Sequence, residues 1–156
     1  MQESKPKWKR LVTRRYLPTP QQSLLILRGT VALIFMAHAL VRLVNGSVPQ
    51  FASSLEARGF PWGTALVMSI SAYEIIGGSL LALGIRVKVV CSGLAFIVLM
   101  GIVIIHRHLG WFVGEHGTGG MEFSWLLVAA LLVVAATDSG DRRARTGLSK
   151  AAGQAD

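Results

Sequence analysis

The chain has 156 residues, of which 52% are apolar and only 15% charged, with 16 Lys+Arg against 8 Asp+Glu for a net charge of +8. A soluble domain is usually about 25% charged, so this balance, with a mean hydropathy of +0.52, excludes a soluble enzyme. A single cysteine, Cys91, excludes an extracellular disulfide scaffold.

Residues 1–22 form a basic N-terminal segment carrying Lys5, Lys7, Lys9, Arg10, Arg14, Arg15 and Trp8, a composition suited to resting on anionic lipid head groups. Arg14-Arg15 resembles a twin-arginine signal only faintly. The apolar run behind it is too long for a signal core and no small-residue cleavage site ends it, so the first helix is expected to stay in the mature protein. That first span is Leu24–Val44, with a helix start near Ser23 because Pro18 and Pro20 oppose an earlier one. Asn45-Gly46 ends it and Pro49 opposes its resumption. Gln50–Gly59 then places Phe51 and Leu55 on one helical side, the pattern of a short segment lying at the membrane surface.

The second and third spans, Thr64–Leu83 and Val87–Ile105, are joined by Gly84-Ile85-Arg86, which leaves room only for an antiparallel hairpin. Gly110–Gly120 is a glycine-rich loop, and the fourth span is Met121–Thr137. Residues 138–156 read as a basic, disordered tail. Each span approaches the roughly 20 helical residues that a hydrocarbon core about 30 Å thick requires. The expected fold is all-α, a four-helix transmembrane bundle over residues 23–137.

Charge placement orients it. The six bases before the first span, Arg86 and Lys88 in the hairpin turn, and Arg142, Arg143, Arg145 and Lys150 behind the last span all fall on one side if the spans alternate. The other side has only Arg58 and Arg107, with Arg42 at its edge. Lys and Arg collect on the cytoplasmic side of a membrane, which makes both termini cytoplasmic and the protein a multi-pass one of the inner (plasma) membrane. The basic character then needs no nucleic acid. Trp62, Trp111 and Trp125 fall near the outer boundary, where indole rings prefer to sit.

Within the spans, lipid should exclude Arg28, His38 and Arg42 of the first helix and Glu74 of the second. At about 100° per residue the three basic side chains share one face with Phe35. Ser71, Gly77 and Gly78 share the face of Glu74 and permit close approach of a neighbouring helix. Helical rise places His38 nearer in depth to Glu74 than either arginine, so Glu74 is expected to pair with His38 or with an arginine of the first helix. Arg28 can snorkel to the cytoplasm. Arg42 meets His106, Arg107 and Glu122 near the outer boundary, which gathers His38, Arg42, Glu74, His106 and Glu122 as candidate ligand-binding residues. A structural pair that fixes helix register is the competing reading of the same residues.

Metal or haem has little support. His106 and His108 are two apart and point in nearly opposite directions on a helix, and neither an i, i+4 His pair nor C-x-x-C occurs. Gly117-Thr118-Gly119-Gly120 reads as a loop rather than a phosphate cradle, since no Lys follows it. Cys91 reads as a small packing residue. No Ser/His/Asp or paired-carboxylate arrangement supports hydrolysis.

These residues resemble the DoxX family of small four-helix membrane proteins. The matching features are Arg28-Gly29, His38-Ala39-Leu40-Val41-Arg42, Glu74-Ile75-Ile76-Gly77-Gly78, Leu83-Gly84 with Arg86, His106, and Gly120-Met121-Glu122-Phe123, over about residues 24–137. Ala39 and Arg42 depart from the family's H-G-x-x-K, and the basic N-terminus lies outside the pattern. The resemblance implies a membrane subunit linked to redox complexes, with quinone as the associated cofactor and further protein subunits as partners. A His, a carboxylate and arginines could hydrogen-bond the two carbonyls of a quinone. Three readings follow: a quinone-interacting subunit whose redox centre lies on a partner, a noncatalytic subunit that anchors a membrane complex, and a small proton or anion transporter. The last is weakened by the absence of an internal repeat or broken helix pair.

Overall fold

The computed structural model describes residues 18–112 and 120–152, with side chains as far as Asp138. Residues 1–17, which hold all the bases of the N-terminal segment, and the stretch 113–119 with His116 lie outside the described residues. Five α-helices and one 3₁₀ turn make up the rest: α1 (Pro20–Val44), α2 (Val48–Glu56), α3 (Gly63–Leu83), α4 (Val87–Ile104), the turn His106–His108, and α5 (Glu122–Ala152). Among the described residues, Pro20–Val44, Gly63–Leu83 and Val87–His108 are long and apolar enough to cross a membrane.

Helix α1 begins at Pro20, three residues before the predicted start. Proline is tolerated in the first helical turn, where its missing N–H would have had no partner. Thr19 closes the end as a capping box: its hydroxyl accepts from the Gln22 N–H at 3.3 Å and its own N–H donates to Gln22 Oε1 at 2.9 Å. The same rule corrects the reading of Pro49, which sits in the first turn of α2 and starts a helix there. Helix α5 runs well past Thr137. The segment from 138, expected from its charge to be disordered, continues the helix as far as Ala152, consistent with its Ala and Arg content and lack of proline.

The α3–α4 turn is as tight as its sequence requires. Ile85 N–H donates to Leu80 O at 2.9 Å and Gly84 N–H to Leu81 O at 3.1 Å, a Schellman closure that places Gly84 at φ +74°. The Arg28 guanidinium lies over this glycine, where a Cβ would stand 3.1 Å from it.

Helix α1 packs on α3, α3 on α4, α4 on α5, and α5 back on α1, while α2 lies against α3. Small residues set the approach of α1 and α3. A Cβ on Gly78 would come within 2.6 Å of Met36 Cγ and 3.1 Å of Ala32 O, and Ala32 and Ala39 are fully buried opposite. Helices α3 and α4 meet where Gly77 faces Val90 and where Gly93 leaves space for the Tyr73 hydroxyl.

The main core lies toward the α3–α4 turn. It joins Val31 and Phe35 of α1, Leu81 of α3, Leu94 and Cys91 of α4, and Leu131 of α5. A second, smaller cluster forms at the other end, where Ala52 and Leu55 of α2 cover Val67 of α3. That short helix is pinned to the start of α3. Gly63 N–H donates to Glu56 Oε1 at 2.8 Å, and Gly63 lies so close to the Ala52 carbonyl that a side chain would not fit.

Candidate ligand site

The core at the turn end is continuous, but the α2 end encloses a cavity of about 1060 Å³. Four long helices supply its walls and α2 its cover. All five candidate residues, His38, Arg42, Glu74, His106 and Glu122, line this one cavity.

Glu74 is the most buried of them, at 4% exposure. Its partner is Arg42, not His38: Arg42 Nη1 stands 2.8 Å from Glu74 Oε2. The same Nη1 donates to Ser71 Oγ at 2.8 Å, and the Ser71 hydroxyl donates onward to the Val67 carbonyl at 2.9 Å. The Phe51 ring of α2 covers the guanidinium, its centroid 5.3 Å from Arg42 Cζ, within cation–π range.

Depth counted along the helix axes favours His38, and the direction of the side chains overrides it. Side chains on a helix lean toward its N-terminus. Helices α1 and α3 are antiparallel, so Arg42 leans down toward the level of Glu74 while Glu74 leans up to meet it. His38 lies about 40° round α1 from Arg42, on the side of α5. There it is exposed and stacks on Phe123, with centroids 6.5 Å apart and planes 11° from parallel.

His106 follows the end of α4, where the chain tightens into the 3₁₀ turn. Its Nδ1 is buried and has no hydrogen-bond partner among the described residues, so it can give or accept one bond without breaking another. Glu122 enters through the backbone. Its N–H donates to Trp111 O at 3.1 Å while Met121 N–H donates to Gly110 O at 3.2 Å, which holds the first turn of α5 against the chain leaving the 3₁₀ turn. Among the described residues no group of three or more His, Cys, Asp or Glu side chains is arranged to hold a metal ion.

Sequence reasoning missed the character of the remaining wall. The polar groups occupy a small part of a mostly apolar surface that includes Phe35, Phe60, Ile70, Phe96 and Ile97. The roles of Phe51 and Phe123 were also not legible, because each depends on a contact between helices distant in the chain.

A helical chain with three apolar spans and charged groups buried between them is an integral membrane protein. The DoxX family model matches residues 23–107, α1 to the 3₁₀ turn, and the chain belongs to that family. Helix α5, with Glu122, lies beyond the matched part. No curated protein and no solved structure matches the chain.

The geometry makes Arg42 and Glu74 mutually dependent. Removing one partner of a buried pair costs about 3–5 kcal/mol because the other charge is left uncompensated, whereas one hydrogen bond from a charged donor, such as that of Arg42 to Ser71, is worth about 1.5–3 kcal/mol. Arg42→Ala is therefore expected to lower the midpoint of thermal unfolding in detergent more than Ser71→Ala does. Equal, small shifts for the two variants would mean that the pair is solvated and contributes little.

Proposed function

We propose that this protein is a multi-pass subunit of the inner (plasma) membrane that supports a quinone-linked redox complex and holds the quinone in the cavity beneath α2. Helices α1, α3, α4 and α5 cross the bilayer as a four-helix bundle, with both termini cytoplasmic and α2 at the outer surface. The observation that carries the reading is the convergence of His38, Arg42, Glu74, His106 and Glu122 on one cavity of about 1060 Å³. That volume stands at the upper end of the roughly 300–1,000 Å³ typical of ligand pockets.

The residues fit a quinone. His106 Nδ1 offers a hydrogen bond that no other group among the described residues uses, and aromatic side chains (Phe35, Phe51, Phe60) line the space a planar ring would fill. A bound quinone supplies two-electron, two-proton chemistry, with the electrons exchanged at a redox centre on a partner subunit. His106 and Glu122 would orient the head, and the Arg42–Glu74 pair would fix the wall behind it. Because that pair is satisfied within the protein, a purely architectural accessory role is the second reading.

The test removes the unused nitrogen while keeping the ring volume. Loss of one hydrogen bond corresponds to up to about tenfold in affinity, so His106→Phe should bind quinone up to about tenfold more weakly than wild type and, purified natively, carry less of it. Co-purifying subunits and thermal stability should stay as in wild type. Quinone held equally tightly in both would remove His106 from the site, wild-type protein without quinone would refute the ligand reading, and loss of partner subunits alone would favour the architectural one. The topology has its own measurement. A cysteine at Arg58 should react with an impermeant maleimide added to intact cells, and protection of that position until lysis would reverse the orientation.

A further inference from the structure

Helices α3 and α4 stop packing partway along their length. Gly77 faces Val90, and one turn further from the hairpin Tyr73 faces Gly93. At the same spacing, about four residues per turn on each helix, the next apposed positions are Ile70 with Ile97 and then Leu66 with Gly101. All four line the cavity. Neither Ile70 nor Ile97 belongs to either core cluster. The two helices therefore leave a gap at Ile70 and Ile97 that the cavity occupies, closed again toward α2 where Leu66 and Ile104 pack on the second cluster.

This space reaches the side of the molecule. Phe96 lines the cavity and is nevertheless 65% exposed, in the middle of the apolar segment Val87–His108. Helix α2 lies over the end, tied down through Gly63 and Glu56, and at the seam between α1 and α5 the exposed side chains of His38, Phe123 and Leu126 bring the cavity to the lateral surface a second time.

The charge at the inner wall is already matched. Arg42 is paired with Glu74 and Glu122 adds a second carboxylate to the lining. A phosphate or carboxylate head group would meet no uncompensated guanidinium there. An uncharged head fits His106 Nδ1 in both redox forms: a quinone carbonyl accepts from Nδ1–H, and a quinol hydroxyl donates to Nδ1 in the other tautomer.

We infer that the cavity takes its ligand sideways from the bilayer, and that this ligand is an amphiphile with an uncharged ring head and a long apolar chain lying in the gap between Ile70 and Ile97. The inference rests on the cavity being a ligand site, as proposed above, and adds the route and the place of the chain.

The full-length protein in phosphatidylcholine nanodiscs provides the test, with two probes: an isoprenoid benzoquinone and the same ring without its chain. Ile70→Trp fills the gap, and Val89→Trp adds the same bulk on the exposed face of α4 outside the cavity. For Ile70→Trp, affinity for the chain-bearing quinone should fall by about tenfold or more while the chainless ring stays within about twofold. Val89→Trp should bind both probes as wild type does. An equal change for the two quinones in Ile70→Trp, or no change for either, would overturn the lateral route and leave the ligand reading standing. Wild-type protein that binds neither probe would overturn the ligand reading and this inference with it. Phospholipid that persists in the cavity against excess quinone would overturn the uncharged head.

Discussion

Two opposite charges buried in an apolar helix pair are tolerable only together, and the rest of this structure is arranged around that requirement. Glu74 lies in a segment surrounded by Val, Ile and Leu, where an isolated carboxylate would be strongly disfavoured. Arg42 reaches it because the helices run antiparallel and come close at Ala32, Ala39 and Gly78. Ser71 takes up a second contact of the same guanidinium nitrogen, and Phe51 screens it from the surface that α2 faces. Helix register, the seating of α2 and the inner wall of the cavity thus share one interaction.

The two ends of the molecule divide the labour. Toward the α3–α4 turn the chain is well filled: Leu81, Leu94 and Leu131 are almost wholly buried, and the glycine closure leaves no slack between the two helices. Toward α2 the same helices leave room for the cavity, whose wall is mostly aliphatic and aromatic with a few polar groups. A hairpin joined tightly at one end can open at the other without unpacking its base. Rigid support at one end and space at the other is what a binding site within a helical membrane protein needs.

Much of this was legible in the sequence. The first three spans, the hairpin turn and the buried face formed by Ser71, Glu74, Gly77 and Gly78 follow from hydropathy, glycine placement and a period of 3.6. The five polar residues that line the cavity stood out in the sequence because lipid should exclude Arg, His and Glu from a span. Partner choice was not legible: axial depth pointed to His38, whereas the lean of side chains along antiparallel helices brings Arg42 to Glu74. The predicted start at Ser23 also failed, since Pro20 has a favourable place in the first turn. The apolar character of the cavity wall could not be read either. Ile70 and Ile97 look like ordinary core or lipid-facing residues, and only the separation of α3 from α4 makes them a lining.

The coupling between Arg42 and Glu74 is the most direct measure of whether one interaction organises the structure. A double-mutant cycle with Arg42→Gln and Glu74→Gln, read by unfolding free energy in detergent, isolates it from the other contacts each residue makes. Residues in direct contact couple by about 0.5–3 kcal/mol, and independent sites add to within about 0.5 kcal/mol. The account expects coupling in the upper part of that range, with the double variant more stable than the sum of the single losses implies. Additivity within about 0.5 kcal/mol would contradict it.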